Sequence, residues 1–493
     1  MKDTCLMIMP ILFPIIAGIL LLAYPKVKKR KNIITYTAVV LFTTAALVIW
    51  NLVSQENPVT LFWLTDKISI GFKIDEISKL FVSIVTIVWI LAGIHSFVYM
   101  KHEENEKRYF GFYLIVYGVL IGLDFAGNLI TFYMFYEFMT LMSFPLVIHT
   151  RSKEAIMAGL KYLFYSFAGA YMVLFGIYFL FRYAPTLDFI AGGSLDLTSM
   201  PEKTGLFLVV AFLMIMGFSV KAGMFPMHAW LPSAHPVAPS PASAALSGII
   251  VKSGVLGIIR AIYYVIGAEF IRGTWVQNTW MILALITVFM GSMLAYREKV
   301  LKKRLAYSTV SQISYILLGL AVLAPDGFTG GLLHTCFHAF IKCGLFLVAG
   351  AIIYNTGATR VEELKGIGKK MPLTLWCFTF LSLALIGIPP ASGFISKWYL
   401  CVGALNANVG IYGYLIPVIL LISALLTAGY LLPITINGFF PGEDFKVTKG
   451  MKKESPMGML IPIAILAILA VILGVFPNEL IAYISKISQT VLI

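Results

Sequence analysis

From Thr4 to Pro25 the chain carries no charged side chain, and runs of this kind recur to its far end, at 32–55, 80–100, 162–181, 273–296, 305–325 and 455–478. Crossing the roughly 30 Å hydrocarbon core of a bilayer takes about 20 apolar residues as a helix, so each run can span a membrane. Longer stretches are interrupted by isolated charges only: Glu137 within 125–150, Lys221 and Lys252 within 205–259, Lys342 within 327–359, and Lys397 within 371–442. Cutting them at Gly and Pro clusters predicts about 14 spans, at 5–24, 33–52, 79–100, 109–125, 128–149, 158–182, 205–225, 240–266, 275–296, 305–324, 330–354, 372–402, 411–438 and 457–476. Charged residues make up 12% of the chain against about 25% in soluble domains. A soluble globular enzyme is excluded, and the fold class is an all-α polytopic membrane protein of one domain.

The net charge of +14 would suggest nucleic acid in a soluble protein, but here the placement of the charges explains it. With residue 1 outside, the loops predicted to face inward hold 24 basic residues, at Lys26 and Lys28–Lys31, 101–108, 151–161, Arg297–Arg304, Arg360–Lys370 and Lys446–Lys453. The outward ones hold 8, among them Lys67, Lys73 and Lys203. That asymmetry is the one cytoplasmic loops show, and it predicts both termini outside and no nucleic-acid partner. The first apolar run is followed, not preceded, by basic residues, so it reads as a retained helix. Alternation from Leu64 to Asp75 predicts a short outer β-hairpin. Five cysteines with no CxxC pair give neither iron–sulfur nor haem spacing.

A charge at the centre of a membrane helix costs about 2.5–3.5 kcal/mol even on insertion scales, so Glu137, Lys221, Lys252, Arg260, Lys342 and Lys397 must face protein or water, and each is a candidate functional residue. Glu137 lies nine residues into its span, about 14 Å deep; it is a proton site or a structural partner for a buried lysine. Lys252 sits at similar depth, where desolvation lets a lysine lose and regain its proton near neutral pH. Arg260 stays charged and is structural or a gate. His334, His338 and Lys342 recur at i, i+4 and i+8, one helix face about 12 Å long, which reads as a proton wire. A metal site there is the other reading, and no nearby acid supports it.

Lys221 opens a segment with prolines at 226, 232, 236, 239 and 241, and Lys397 follows GIPPASG at Gly387–Gly393. Helix interiors tolerate such prolines badly, and irregular backbone at membrane depth survives only inside protein or along a wet cavity. Two Pro-interrupted spans, one in each half and each with a lysine, mark an inverted-repeat transporter with its ion path at the breaks. The plainer alternative is two kinks with snorkelling lysines.

At these residues the chain resembles the antiporter-like subunits shared by respiratory complex I, the Mrp cation/proton antiporters and energy-converting membrane hydrogenases. The stretch VKAGMFPMHAWLPSAHPVAPSPASAALSGIIVKSGVLGIIR, Val220 to Arg260, carries the resemblance most specifically, and its core runs from 110 to 405. The resemblance implies 14 helices with inverted five-helix repeats at 109–266 and 275–438, flanked by 1–108 and 457–493. It implies that Glu137 and Lys221 are a coupled carboxylate–lysine pair on the fifth and seventh helices, with Lys252 the central lysine of the eighth. His334 and His338 correspond to histidines of the eleventh, and Lys397 to the exit-side residue of a broken twelfth. Gln312 stands where many relatives carry histidine, so that relay step is water-filled or absent. The chain ends soon after its last span, leaving no room for the long lateral helix of the largest complex I relative. The HPVAPSPASA loop and the SKWY at Ser396–Tyr399 look more like hydrogenase-associated or D-type Mrp members.

The expectation is a proton-translocating subunit in a prokaryotic cell membrane, within a complex driven by iron–sulfur or hydrogenase-type redox subunits and flanked by other antiporter-like and small membrane subunits. A component of a gradient-driven sodium/proton antiporter is the alternative, and a non-conducting scaffold a third. Protons are the cargo, with sodium left open. No cofactor is expected on this chain, which has no phosphate loop, dinucleotide fingerprint or cluster ligand set.

Overall fold

The computed structural model describes residues 2–25, 29–54, 57–65, 68–196, 198–442 and 454–492. Lys26, Lys28, Lys67 and the basic group Lys446–Lys453 lie outside the described residues. Helices dominate the rest. Eleven among the described residues are long and apolar enough to cross a membrane, or up to twelve if Val361–Lys369 and Pro372–Ile386, bent by 119°, count as one.

These helices coincide with eleven of the predicted spans, and the other three explain themselves. Glu106–Asp124 and Leu301–Ala321 form as helices, but nearly every side chain along them is buried. Hidden from lipid by their neighbours, they tolerate charges at their starts and a Ser/Thr/Gln-rich middle. The region 372–402 forms two 15-residue helices, Pro372–Ile386 and Ser392–Asn406, each short of a full crossing.

Ser240–Ile266 is 100% buried over its apolar window and Pro325–Thr356 is 94% buried, whereas Tyr412–Phe439 is only 33%. The first two therefore form the centre, and the third lies at the periphery. Large apolar side chains such as Phe164, Tyr171, Leu421 and Leu425 are exposed on the peripheral helices, as a lipid-facing belt requires. The predicted hairpin is present but begins earlier, pairing Val59–Thr65 with Ile68–Phe72. The tail adds a helix beyond the predicted spans, Asn478–Val491, which buries Ile484, Ile487, Ser488 and Val491. At 14 residues it is too short to cross.

Candidate functional site

Both predicted breaks exist. Thr204–Ala222 ends at Gly223 and Pro372–Ile386 ends at Gly387, with φ of +78° and +90°, the left-handed conformation glycine supplies at little cost. The backbone freed at the first break is satisfied by Trp230, whose Nε1 donates to the Val220 carbonyl at 2.7 Å, and by Met224 N, which donates to the Ser219 carbonyl at 3.0 Å.

Lys221, at the end of the first half-helix, is fully buried. Its ammonium donates to three hydroxyls: Thr140 Oγ1 at 2.8 Å, Ser166 Oγ at 2.9 Å and Tyr162 OH at 3.1 Å. It also lies 4.5 Å from the Tyr162 ring centre. Glu137 is half-buried one turn before Thr140 on Leu129–Val147, and its Oε1 has no hydrogen-bond partner. The carboxylate–lysine pair implied by the resemblance is therefore not a contact ion pair, because hydroxyls occupy the ammonium. A buried charge needs such partners, but uncharged hydroxyls in apolar helices give no signal in the sequence.

The second cluster begins at Lys252, on Ser240–Ile266, whose helix widens to π geometry over Leu246–Ile250 and Ile259–Ile266. Such widening is frequent at functional sites. Lys252 Nζ donates to the Ser247 carbonyl at 2.7 Å and stands 2.8 Å from His338 Nδ1. A protonated lysine only donates, so opposite charged Lys252 Nδ1 is the acceptor and Nε2 carries the ring hydrogen. That Nε2 is buried without a partner. The His334 ring follows, its centre 5.8 Å from that of His338. His334 bridges Gln312 Oε1 at 3.1 Å through Nε2 and Ser396 Oγ at 2.9 Å through Nδ1, and stacks on Tyr315 at 5.4 Å. The other side of this cluster is Lys397, 5.2 Å from the Tyr315 ring centre.

Lys397 Nζ donates to the Leu385 and Ile386 carbonyls at 2.8 and 2.7 Å. These are orphan carbonyls at the end of the first half-helix, where the helix dipole favours a cation. Gln312, the apparent gap in the relay, is thus a direct partner of His334. Tyr315 and Ser396 complete the cluster, and no charge marked them in the sequence.

The remaining predicted charges separate from these clusters. Arg260 grips Asp75 with NH1 at 2.5 Å and NH2 at 2.8 Å, and its NH2 also reaches Ser78 Oγ at 2.9 Å; this pins the start of Glu76–Tyr99 to Ser240–Ile266. Lys342 shares the His338 helix, and its ammonium donates to the Leu305 carbonyl at 3.1 Å. Lys221 and Lys252 sit on helices that pack against each other, with no direct hydrogen bond between them. The predicted line is two clusters, Glu137–Lys221 and Lys252–Lys397. No group of three or more metal-ligating side chains occurs among the described residues.

Residues 126–435 match the family described as NADH:quinone oxidoreductase/Mrp antiporter, TM, and residues 63–110 match NADH-Ubiquinone oxidoreductase (complex I), chain 5 N-terminus. The NADH-quinone oxidoreductase N subunit of Desulforudis audaxviator is 31% identical over 422 residues, which cover 83% of this chain and 82% of that protein. The Na(+)/H(+) antiporter D subunit of Alkalihalophilus pseudofirmus is 27% identical, over 99% of this chain and 97% of that one. A chain of the archaeal membrane-bound sulfane sulfur reductase, a respiratory membrane complex, superposes with a TM-score of 0.86 at 23% identity, covering 98% of this chain and 97% of its own. The protein is an antiporter-like membrane subunit of the NADH:quinone oxidoreductase/Mrp antiporter family.

Proposed function

We propose that this chain translocates protons as a subunit of a redox-driven membrane complex, of the energy-converting hydrogenase or complex I kind. Protons move along Glu137, Lys221, Lys252, His338, His334 and Lys397. The observation that carries the reading is the 2.8 Å contact of Lys252 with His338 Nδ1, continued by His334, Tyr315 and Lys397. Lys252 passes its proton to His338 Nδ1, and the ring releases its Nε2 proton toward His334. Like charges disfavour one another, so a proton arriving at one lysine weakens the hold of the next, and a charge change in a partner subunit propagates along the line.

On this reading Glu106–Asp124, Leu301–Ala321 and the 372–402 pair complete 14 crossings in two inverted repeats, with both termini outside a prokaryotic cell membrane. Redox chemistry lies on iron–sulfur partner subunits, and neighbouring antiporter-like and small subunits flank this chain in lipid. Lys252→Ala in the assembled complex should abolish proton translocation into vesicles; full translocation with normal assembly would sink the reading. A second reading, a D-type component of a gradient-driven sodium/proton antiporter, is favoured by the near full-length match to such a component. Mass spectrometry of what co-purifies in mild detergent separates the two: iron–sulfur subunits support the first, and only antiporter-type membrane subunits the second.

A further inference from the structure

One buried acid belongs to neither cluster. Asp124 ends the helix Glu106–Asp124 next to the hairpin, where Lys73 N donates to the Phe125 carbonyl at 2.8 Å and Gly127 N to the Gly71 carbonyl at 2.9 Å. It is 2% exposed, and its Oδ2 has no hydrogen-bond partner. Arg260, on the neighbouring helix, directs its hydrogen bonds to Asp75 and Ser78. Asp124 instead lines an internal cavity of about 10 Å³ together with Lys252, Ser253 and Thr335, between apolar walls that include Phe81 and Leu120. That volume holds about one water. Lys252 directs two of its three ammonium donors at Ser247 and His338, which leaves a third not used in those two contacts.

We propose that Asp124 is a second proton partner of Lys252, and that their shared cavity is a branch leading from the central cluster toward the hairpin face. The proposal rests on the proton-translocating reading above. In the forward step the Lys252 ammonium gives a proton to a cavity water, and that water gives one of its own to the Asp124 carboxylate. The products are a neutral amine, a water and a neutral carboxylic acid, and the reverse step restores the start. Lys252 then has two exits, His338 along the membrane and Asp124 toward the outer surface, and the occupancy of one biases the other.

The test uses vesicles carrying the full chain in its native complex, comparing Asp124→Asn, Asp124→Glu and Lys252→Ala. Removing one proton carrier should lower proton translocation about tenfold or more in Asp124→Asn, with Asp124→Glu retaining most of it. Infrared difference spectra on energisation should contain a protonated-carboxyl band that vanishes in Asp124→Asn and shifts in Asp124→Glu. If Asp124→Asn fails to assemble, the shift in Asp124→Glu decides alone, and an unshifted band overturns the proposal. Normal translocation in Asp124→Asn with none in Lys252→Ala removes the branch and leaves the main reading standing. Normal translocation in both removes the two together.

Discussion

Asp75 and Arg260 show how one ion pair sets a local stability. Burial pushes the Asp75 carboxyl up, and the Arg260 charge with its hydrogen bonds, joined by those from Ser78, more than reverses this, so it sits below the ordinary aspartate value. A depressed carboxyl contributes stability that is complete above its unfolded pKa, about 3.9, and is lost as pH falls further. The thermal midpoint in detergent should therefore drop more steeply below about pH 4 in wild type than in Asp75→Asn. Arg260→Ala leaves a largely buried carboxylate unpaired and should cost about 3–5 kcal/mol in the same assay; Arg260→Lys should restore only part, because an ammonium cannot reproduce the forked grip. In the histidine cluster, Gln312→Leu should slow proton translocation and Gln312→His should retain it. The charged members of the site were legible because a charge in an apolar run has no cheap explanation. Thr140, Tyr162, Ser166, Tyr315 and Ser396 were not, since hydroxyls are common in membrane helices. Asp124 escaped for another reason: it stands at a predicted span's end, where an acid looks like loop.

At the scale of elements, the second break is the most constrained feature. A Cβ on Gly387 would stand 3.0 Å from Lys397 Cδ and 3.4 Å from its Nζ, on a backbone that already has positive φ. Gly387→Ala should cost about 1–2 kcal/mol from the conformation alone and displace Lys397 from the carbonyls it caps. The expected outcome is lower thermal stability together with impaired translocation, and unchanged activity would show that the cap is dispensable. Both breaks were legible from their prolines, each beside a lysine isolated in an apolar run. The hairpin's start was missed because Val59–Thr65 is almost entirely exposed and lacks the burial alternation that betrays a strand. Asn478–Val491 was missed because a short amphipathic helix resembles a polar tail when only long apolar runs are sought.

For the whole molecule, the distribution of basic loops predicts an orientation that surface chemistry can check. In a variant lacking Cys5, an exposed free cysteine, Glu202→Cys should react with an impermeant maleimide on intact cells, and Lys299→Cys only after permeabilisation; the opposite pattern inverts the topology. Both side chains are well exposed, at 67% and 65%, so failure to react cannot be put down to burial. Apolar length located the long helices at the centre and at the periphery alike, whereas the 14-residue tail helix and the two short halves of 372–402 are too short for that signal to resolve.

The seats of Lys221 and Lys397 differ in what they could offer a neutral amine. Carbonyl oxygens only accept, so Leu385 and Ile386 can hold the two hydrogens of a neutral amine but offer nothing to its lone pair. The Thr140, Tyr162 and Ser166 hydroxyls are rotors, and one can swing its hydrogen onto the vacated nitrogen while the others go on accepting. Lys221 therefore rests in a cradle able to hydrogen-bond both forms of its nitrogen, while Lys397 rests in one that can bond only its hydrogens.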